Sequence, residues 1–393
     1  MTTTSSEQHA VPFWRDERYL QVLAQILVVA IIAGTLYYLA NNLVTALAAQ
    51  NIPIGFDFLR LTAGFDIGES SIAYSRASTN AQALLVGVLN TLRVSFLGII
   101  FSTILGAIVG VARLSNNWLV NKLAGIYVEI LRNIPLLVFL IFLYSAAFVK
   151  LPRITEALEL PGPIYLTNRG FFVPWAEPGD GWSTYRWVLW VGLLVAIVVA
   201  WVLRRQGQRT GRMPLILLWA PLAFVVVALL GWFIVPGQPL VSSIPVLEGR
   251  NFTGGNGLTP EFMAVLLGLV VYTSAFIAEV VRAGIQAVSK GQREAATALG
   301  LSGFQTLRLV ILPQAQRVII PPLTSQYLNL TKNSSLAVAA GYPDVYAIGR
   351  TIQNQSGRSI EIIALMMIVY LAFSLGTSLF MNWYNKRIRL VER

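Results

Sequence analysis

Apolar residues fall along this chain in long unbroken runs rather than in alternating or narrowly amphipathic patterns. Val22–Ala40 is 19 residues without a charge, and Val94–Ala112 is another 19. Asn133–Val149, Trp187–Leu203 and Phe262–Ala278 are 17 each, and Ile362–Asn385 is 24. Met213–Leu247 runs 35 residues, punctuated by five prolines, with Leu215–Val235 as the segment able to cross a membrane. A spanning helix needs about 20 mainly apolar residues, fewer where ionisable residues flank it. Seven runs therefore predict spanning helices. An eighth, Gln314–Thr331, carries polar interruptions and Pro321-Pro322. Prolines are tolerated in a spanning helix whose neighbours satisfy the freed backbone groups, so this segment reads as an interior span. The prediction is an all-α polytopic membrane protein.

Composition agrees and removes alternatives. The 393 residues are 55% hydrophobic and 12% charged, half the charge that a soluble surface of this size carries. With no Cys, disulfides, thiolate metal sites and Cys nucleophiles are excluded. The single His, at position 9 in a polar tail, leaves little room for imidazole-based metal or acid–base chemistry.

The net charge of +11 suits either nucleic-acid binding or the cytoplasmic face of a membrane protein. Its placement decides between them. With both termini inside, the inner segments 1–19, 113–122, 204–213, 282–308 and 385–393 hold 16 Lys and Arg in 75 residues. The outer segments 41–83, 150–186, 236–261 and 336–359 hold 9 in 130. This is the positive-inside asymmetry, carried mostly by Arg204, Arg205, Arg209 and Arg212 and by the tail Lys386, Arg387 and Arg389. The charge is topological and nucleic acid is not an expected partner. Ala46-Leu47-Ala48 looks like a signal cleavage site, but the apolar stretch before it is about twice a signal's length, so the first helix is read as an anchor.

The inner connection 282–308 departs from a plain helical bundle. Gly291-Gln292-Arg293-Glu294-Ala295-Ala296-Thr297-Ala298-Leu299-Gly300 favours a short helix with Gly300 as its C′ stop. A second short helix is expected over Phe304–Ile311, ending at Pro313. Two short helices joined at a glycine make a stiff knob. The Glu294-Ala295-Ala296, Gly300 and Val310-Ile311-Leu312-Pro313 spacing resembles the EAA signature of ABC-importer permeases, with Val310 where Ile is usual.

Further segments resemble the polar-amino-acid branch: Asn90–Ser95, Tyr127–Pro135, Thr273–Gly284 and Ser325–Pro343. The resemblance covers 84–149 and 262–384. It implies a five-span permease core plus three extra transmembrane helices, with a cytoplasmic coupling helix that docks on an ATP-binding subunit. On this division, 1–83 is a cytoplasmic tail, first helix and outer loop, and 84–149 is the first half of the core. Residues 150–261 are an insertion with two helices and no readable motif. Residues 262–393 are the second half, with the coupling loop at 282–313. The extra spans resemble the long subunit of general L-amino-acid importers, which pairs with a shorter second permease. The resemblance also implies a periplasmic amino-acid-binding protein, a bacterial inner-membrane location, and ATP and Mg held by the partner rather than by this chain.

Ionisable and polar residues at membrane depth are the remaining candidates. Glu129 and Arg132 are spaced i, i+3, as are Glu279 and Arg282, so each pair is expected side by side near the cytoplasmic end, either as structural ion pairs or bordering the path. Asn329, Lys332, Asn333 and Ser334 form a denser cluster, with Lys332 suited to a substrate carboxylate and Pro321-Pro322 expected to break the helix nearby. The opposite reading makes Lys332 a snorkelling side chain, as for Arg93 and Arg317. No GxxxxGK[ST] occurs, so nucleotide handling by that motif falls to a partner. The leading function is the translocating subunit of an ATP-driven amino-acid importer. The alternative, an ion-coupled secondary carrier, would be expected to show internal repeats and mid-membrane acids, and neither is visible.

Overall fold

The computed structural model describes residues 17–49, 55–210, 215–249 and 251–388. His9, Arg212 and Arg389 lie outside these. Helix α1, Glu17–Ala49, is exposed along its apolar length, as suits a lipid-facing anchor. A short strap follows, a 3₁₀ turn at Asp57–Arg60 and an irregular return to Thr79. Its Phe58 and Ala63 pack beneath the outer ends of later helices.

Helix α2, Asn80–Ala112, starts in a capping box between Thr79 and Gln82. Helix α3, Trp118–Asn133, starts at the Asn117 cap and stops abruptly. Ile134 and Pro135 are extended, and α4, Leu136–Phe142, leaves at 104° to α3 before a π-turn over Leu143–Phe148. The apolar run Asn133–Val149 is therefore the far limb of a broken pair rather than one straight span. Pro135 is the cause: its ring disfavours helical geometry at Ile134.

Residues 150–261 then combine two kinds of structure. Helices α5, Trp182–Thr210, and α6, Ile216–Ile234, pack on one another as a hairpin. Strands β1 (Leu158–Leu160), β2 (Ile164–Thr167), β3 (Gly170–Val173) and β4 (Trp175–Pro178) precede it. Strands β5 (Leu240–Ser243), β6 (Val246–Glu248), β7 (Asn251–Thr253) and β8 (Asn256–Leu258) follow it. The two groups close on each other, β3 pairing with β8 and β4 with β5. Phe252 stacks on Tyr165 and Phe172 with ring centroids 4.7 Å apart in each case. These strands are three or four residues long, too short for alternation to show in sequence.

Helix α7, Pro260–Gln286, opens on the Thr259 cap with Pro260 in its first turn. It is the centre of the bundle: 61% of its apolar window is buried, against 33% for α2 and none for α1. Beyond it come α8 (Lys290–Ala298), α9 (Gly303–Thr306), a π-turn at Leu307–Ile311, and α10 (Leu312–Asn333). A 3₁₀ stretch over Ser334–Ala340 leads to α11 (Val345–Ser356) and α12 (Ser359–Ile388).

Two expectations about the α10 region are corrected. The helix opened at Gly303 does not end at Pro313 but runs on through the π-turn into α10. A helical proline forfeits one hydrogen bond and crowds one carbonyl, here that of Leu309 inside the π-turn, where the ladder is already loosened. Nor do Pro321 and Pro322 break α10, which is helical from end to end. They leave the Arg317 and Val318 carbonyls without helical donors, but packing against α7 and α12 holds the rod together.

Five described helices are long and apolar enough to cross a membrane by length and composition, and the α3–α4 pair makes a sixth. Helix α6 has 19 residues, and α10, with 22, reaches about 33 Å with its apolar side turned into the bundle. We read both as crossing.

Helices α2 and α7 are joined by a ladder of small residues. Gly98, Ser102, Gly106 and Gly110 recur every fourth position on α2; Gly106 and Gly110 meet α7, while Gly98 meets Leu330 of α10. A Cβ added at Gly106 would sit 2.6 Å from Ile277 Cβ and 2.9 Å from the Ser274 carbonyl. One at Gly110 would sit 2.7 Å from the Ala278 carbonyl. In lipid, where the hydrophobic effect does not drive helices together, such close backbone approach supplies the packing.

Candidate functional site

The knob after α7 is built by local chemistry. Helix α8 ends at Gly300, whose φ of +76° lies in the left-handed region. The Leu301 amide donates to the Ala296 carbonyl and the Gly300 amide to that of Thr297, a Schellman stop. Ser302 then caps the next helix in a box with Gln305. Ala296 is buried, and the Arg293 guanidinium donates to the Ile285 carbonyl at the end of α7 (2.9 Å), seating α8 against that helix. Glu294, Ala295 and Gly300 face outward, and Glu294 has no ion pair among the described residues. Leu299 and Phe304 are 80% and 70% exposed at the tip. Two apolar side chains are thus held out at the tip of a polar knob. Leu312 and Pro313 lie farther along on the exposed side of the continuing rod.

That rod, Gly303–Asn333, leads to a polar pocket between α7 and α10. It is lined by Tyr272, Thr273, Phe276, Gln326, Asn329, Leu330 and Asn333, with a volume of about 320 Å³. Gln326, Asn329 and Asn333 stand at i, i+3 and i+7, one face of a helix. No charged group lines it. Of the four sequence candidates, Asn329 and Asn333 are brought here and two are not. Lys332 is exposed, one residue and about 100° from Asn333 around the helix. Ser334 is buried and donates to its own helix at the Thr331 carbonyl, 2.7 Å. Gln326, which completes the amide ladder, is not among the sequence candidates, because only the fold shows which face of α10 meets α7. Above Tyr327, whose hydroxyl lies 2.9 Å from that of Thr103, α10 is also tied to α2.

The two i, i+3 pairs have different fates. Glu279 accepts from Arg282, with Nε at 3.1 and 3.2 Å, and also from Arg113 at the end of α2. Glu129 and Arg132 form no pair. Glu129 is exposed in a shallow depression with Ile126, Ile130, Asn133 and Ile134. Arg132 lies over the Phe276 ring at 5.5 Å, beside the pocket and within the field of Glu279. Both residues lie within α3, but Arg132 turns to the Phe276 ring on α7 while Glu129 stays exposed. The Glu279–Arg113 link is expected to show in a double-mutant cycle. Glu279→Gln and Arg113→Gln should each cost about 1–3 kcal/mol of thermal stability, with the double variant no worse than the poorer single. Additive losses would show that the two residues act independently.

The match with known proteins decides the family. Residues 98–390 match the family described as the binding-protein-dependent transport system inner membrane component. The chain belongs to that family. It is 48% identical over 379 residues to the general L-amino acid transport system permease protein AapQ of Rhizobium johnstonii, covering 96% of this chain and 94% of that one. It is 46% identical over 372 residues to the putative amino-acid ABC transporter permease protein YhdX of Escherichia coli, covering 94% of each. It is 42% identical over 417 residues to the glutamate/glutamine/aspartate/asparagine transport system permease protein BztB of Rhodobacter capsulatus, covering 96% of each. The matches extend through the insertion as well as the core. The chain is thus an ABC-importer permease subunit, multi-pass and of the inner membrane, and the ion-coupled alternative is set aside.

The end of the bundle opposite the knob holds a network that the sequence did not disclose. Glu69, in the strap, is 9% exposed and accepts from the Arg93 guanidinium and the Thr259 hydroxyl. Burial pushes its carboxyl above the usual range, and those two donors oppose the shift. Arg93 lies 4.3 Å from the Phe262 ring centroid, so it is a paired residue inside the bundle and not a snorkelling one. Arg317, the other expected snorkeller, is half-buried with its Nε unpartnered. Asn90 donates to the Glu69 and Pro343 carbonyls at 2.9 Å, and Tyr342 donates to Asn90 at 3.1 Å, pinning the turn before α11 to α2. A cavity of about 330 Å³ opens between the strap, the start of α7 and α11.

Proposed function

We propose that this chain is the long permease subunit of an ATP-driven importer that brings amino acids into the cytoplasm. The observation that carries the reading is the single helical rod from the exposed knob to the amide-lined pocket. About 31 residues of helix, roughly 46 Å, join a protein-docking surface to a polar cavity at membrane depth. Its similarity to amino-acid permeases supports the substrate class.

In this mechanism ATP-binding partner subunits hold ATP and Mg, and this chain holds neither. Their closure presses on α8 and Leu299, and the rod shifts relative to the α2–α7 pair. Partner and substrate act by binding the inward- and outward-facing arrangements with different affinity. Gln326, Asn329, Asn333, Tyr272 and Thr273 offer neutral donors and acceptors that suit a zwitterion. Glu279, with Arg113 and Arg282, closes the inner end, and Arg132 lies beside it. A second, shorter permease completes the path, and a periplasmic binding protein delivers substrate to the outer face. Both termini are cytoplasmic, which the threefold excess of Lys and Arg density in the inner segments supports.

The test is uptake of labelled amino acids by the reconstituted complex. Gln326→Ala, Asn329→Ala and Asn333→Ala are each expected to raise the KM for transport about 2- to 10-fold, the worth of one hydrogen bond, while basal ATP hydrolysis stays unchanged. Lys332→Ala, outside the pocket, is expected to leave KM within about twofold. Uptake must stop when ATP is depleted with ion gradients intact; uptake that persists would overturn the reading.

A further inference from the structure

We propose that the inner end of the α5–α6 hairpin is a binding site for the phosphate headgroups of anionic phospholipids, held by Arg204, Arg205 and Arg209. The proposal rests on the membrane orientation given above and concerns a part of the chain with no role in the transport reading.

The hairpin is electrostatically one-sided. Between Asp180 and Glu248 there is no acidic residue at all, and the arginines of α5 have no carboxylate within their own segment. No described part of the fold supplies one from elsewhere. Helices α5 and α6 pack on each other and make no comparable packing with α2, α7, α10 or α12 among the described residues. Arg204, Arg205 and Arg209 are all exposed, and no ion pair holds them among the described residues. Among the described residues no carboxylate meets these charges.

Depth in the bilayer says what they meet. The other end of the hairpin carries Trp187 and Trp190 on α5 and Trp232 and Phe233 on α6, all exposed. Such aromatic residues settle at headgroup level. From Trp187 to Arg204 is 17 residues of helix, about 26 Å, close to the ~30 Å of the hydrocarbon core. The aromatic ring at one face therefore sets the guanidinium groups at headgroup level on the other. Arg205 is not extended into water: its guanidinium stacks on Trp201, one turn back toward the membrane, 3.9 Å from the ring centroid. Arg205 and Arg209 share a face, with Arg204 beside them, at the C-terminal end of a helix where cations are favoured. Planar guanidinium forks held at the lipid surface fit phosphate oxygens in bidentate geometry. Each such residue near an anionic surface contributes about 1 kcal/mol, so three together imply a preference on the order of 100-fold for anionic over zwitterionic lipid.

The experiment uses the whole transport complex in vesicles of phosphatidylcholine with and without phosphatidylglycerol, followed by extraction and mass spectrometry of the retained lipid. Wild type is expected to retain phosphatidylglycerol at least tenfold above its share of the vesicle. R204Q/R205Q/R209Q is expected to lose that enrichment, and R204K/R205K/R209K to keep part of it. Should the glutamine variant fail to assemble, raised salt on the wild type must strip the same lipid. Enrichment that survives both the glutamine variant and salt overturns the proposal, as does a wild type without enrichment. A loss seen only when the ATP-binding subunits are present assigns the arginines to a protein contact and overturns it too. The orientation is tested apart from this. The chain has no Cys, so Gln208→Cys is a single reporter, and it should resist a membrane-impermeant thiol reagent added from outside.

Discussion

Replacing Gly106 by leucine is expected to keep α2 and α7 from closing and to leave little folded permease in the membrane. Two opposing effects can be weighed. Glycine is a poor helix residue, and in an open position Gly→Ala would stabilise α2 by about 1 kcal/mol. At Gly106 the added Cβ meets Ile277 Cβ at 2.6 Å and a backbone carbonyl at 2.9 Å, which cannot yield as a flexible side chain would. Overpacking of this kind costs about 1–3 kcal/mol for a methyl and more for a larger group. The sign therefore reverses. Gly106→Ala and Gly110→Ala should each lower the thermal transition of the purified complex by several degrees, and Gly106→Leu should abolish assembly. Gly125, which has nothing within 4 Å of its Cβ position, is the control: Gly125→Ala is expected to be neutral or stabilising. A Gly106→Ala variant as stable as Gly125→Ala would refute the close approach.

The second large effect is at the knob. Glu294→Lys is expected to reduce uptake by at least 100-fold while membrane insertion and thermal stability stay near wild type. The separation follows from exposure: Glu294 has no ion pair to lose among the described residues, and exposed substitutions of this sort stay within about 0.5 kcal/mol. A loss of uptake then reports a lost contact and not a lost fold. Gly300 tests the same surface through the backbone. Its Cβ position is open, so size is not the obstacle; the left-handed φ is. Gly300→Val should tilt or melt the knob and abolish uptake, whereas Gly300→Asn, which tolerates that conformation at low cost, should keep a measurable fraction. Equal activity of the Val and Asn variants would remove the Schellman stop from the coupling mechanism.

How much was legible follows from which forces act locally. Most spans could be read because a lipid-facing helix must be a long apolar run; α10, turned into the bundle, keeps polar residues. The knob could be read because a glycine stop and a serine cap are decided within a few residues. The bend after Asn133 was hidden because the apolar run continues through it, although Pro135 stood in plain view. Lys332 drew attention as a rare charge, yet the pocket is formed by the neutral ladder Gln326, Asn329 and Asn333, whose facing depends on where α7 lies. Tyr272, Thr273 and Phe276 join that pocket for the same tertiary reason. Glu69 and Arg93 are 24 residues apart, one in a loop and one in a helix, and only the folded strap brings them together. The outer strands escaped notice because three or four residues carry too little period.

Those strands bear on how the protein is made. Phe171 pairs with Leu258, 87 residues further on, and both helices of the hairpin lie between them. While the chain is being synthesised, β1 to β3 wait with an open edge until the last strand has been delivered to the same side of the membrane. Delivery requires an even number of crossings, so a hairpin with one helix left uninserted strands β8 in the wrong compartment and the sheet stays unclosed. The outer sheet is thereby a readout of correct insertion, completed only by chains whose hairpin has been threaded both ways.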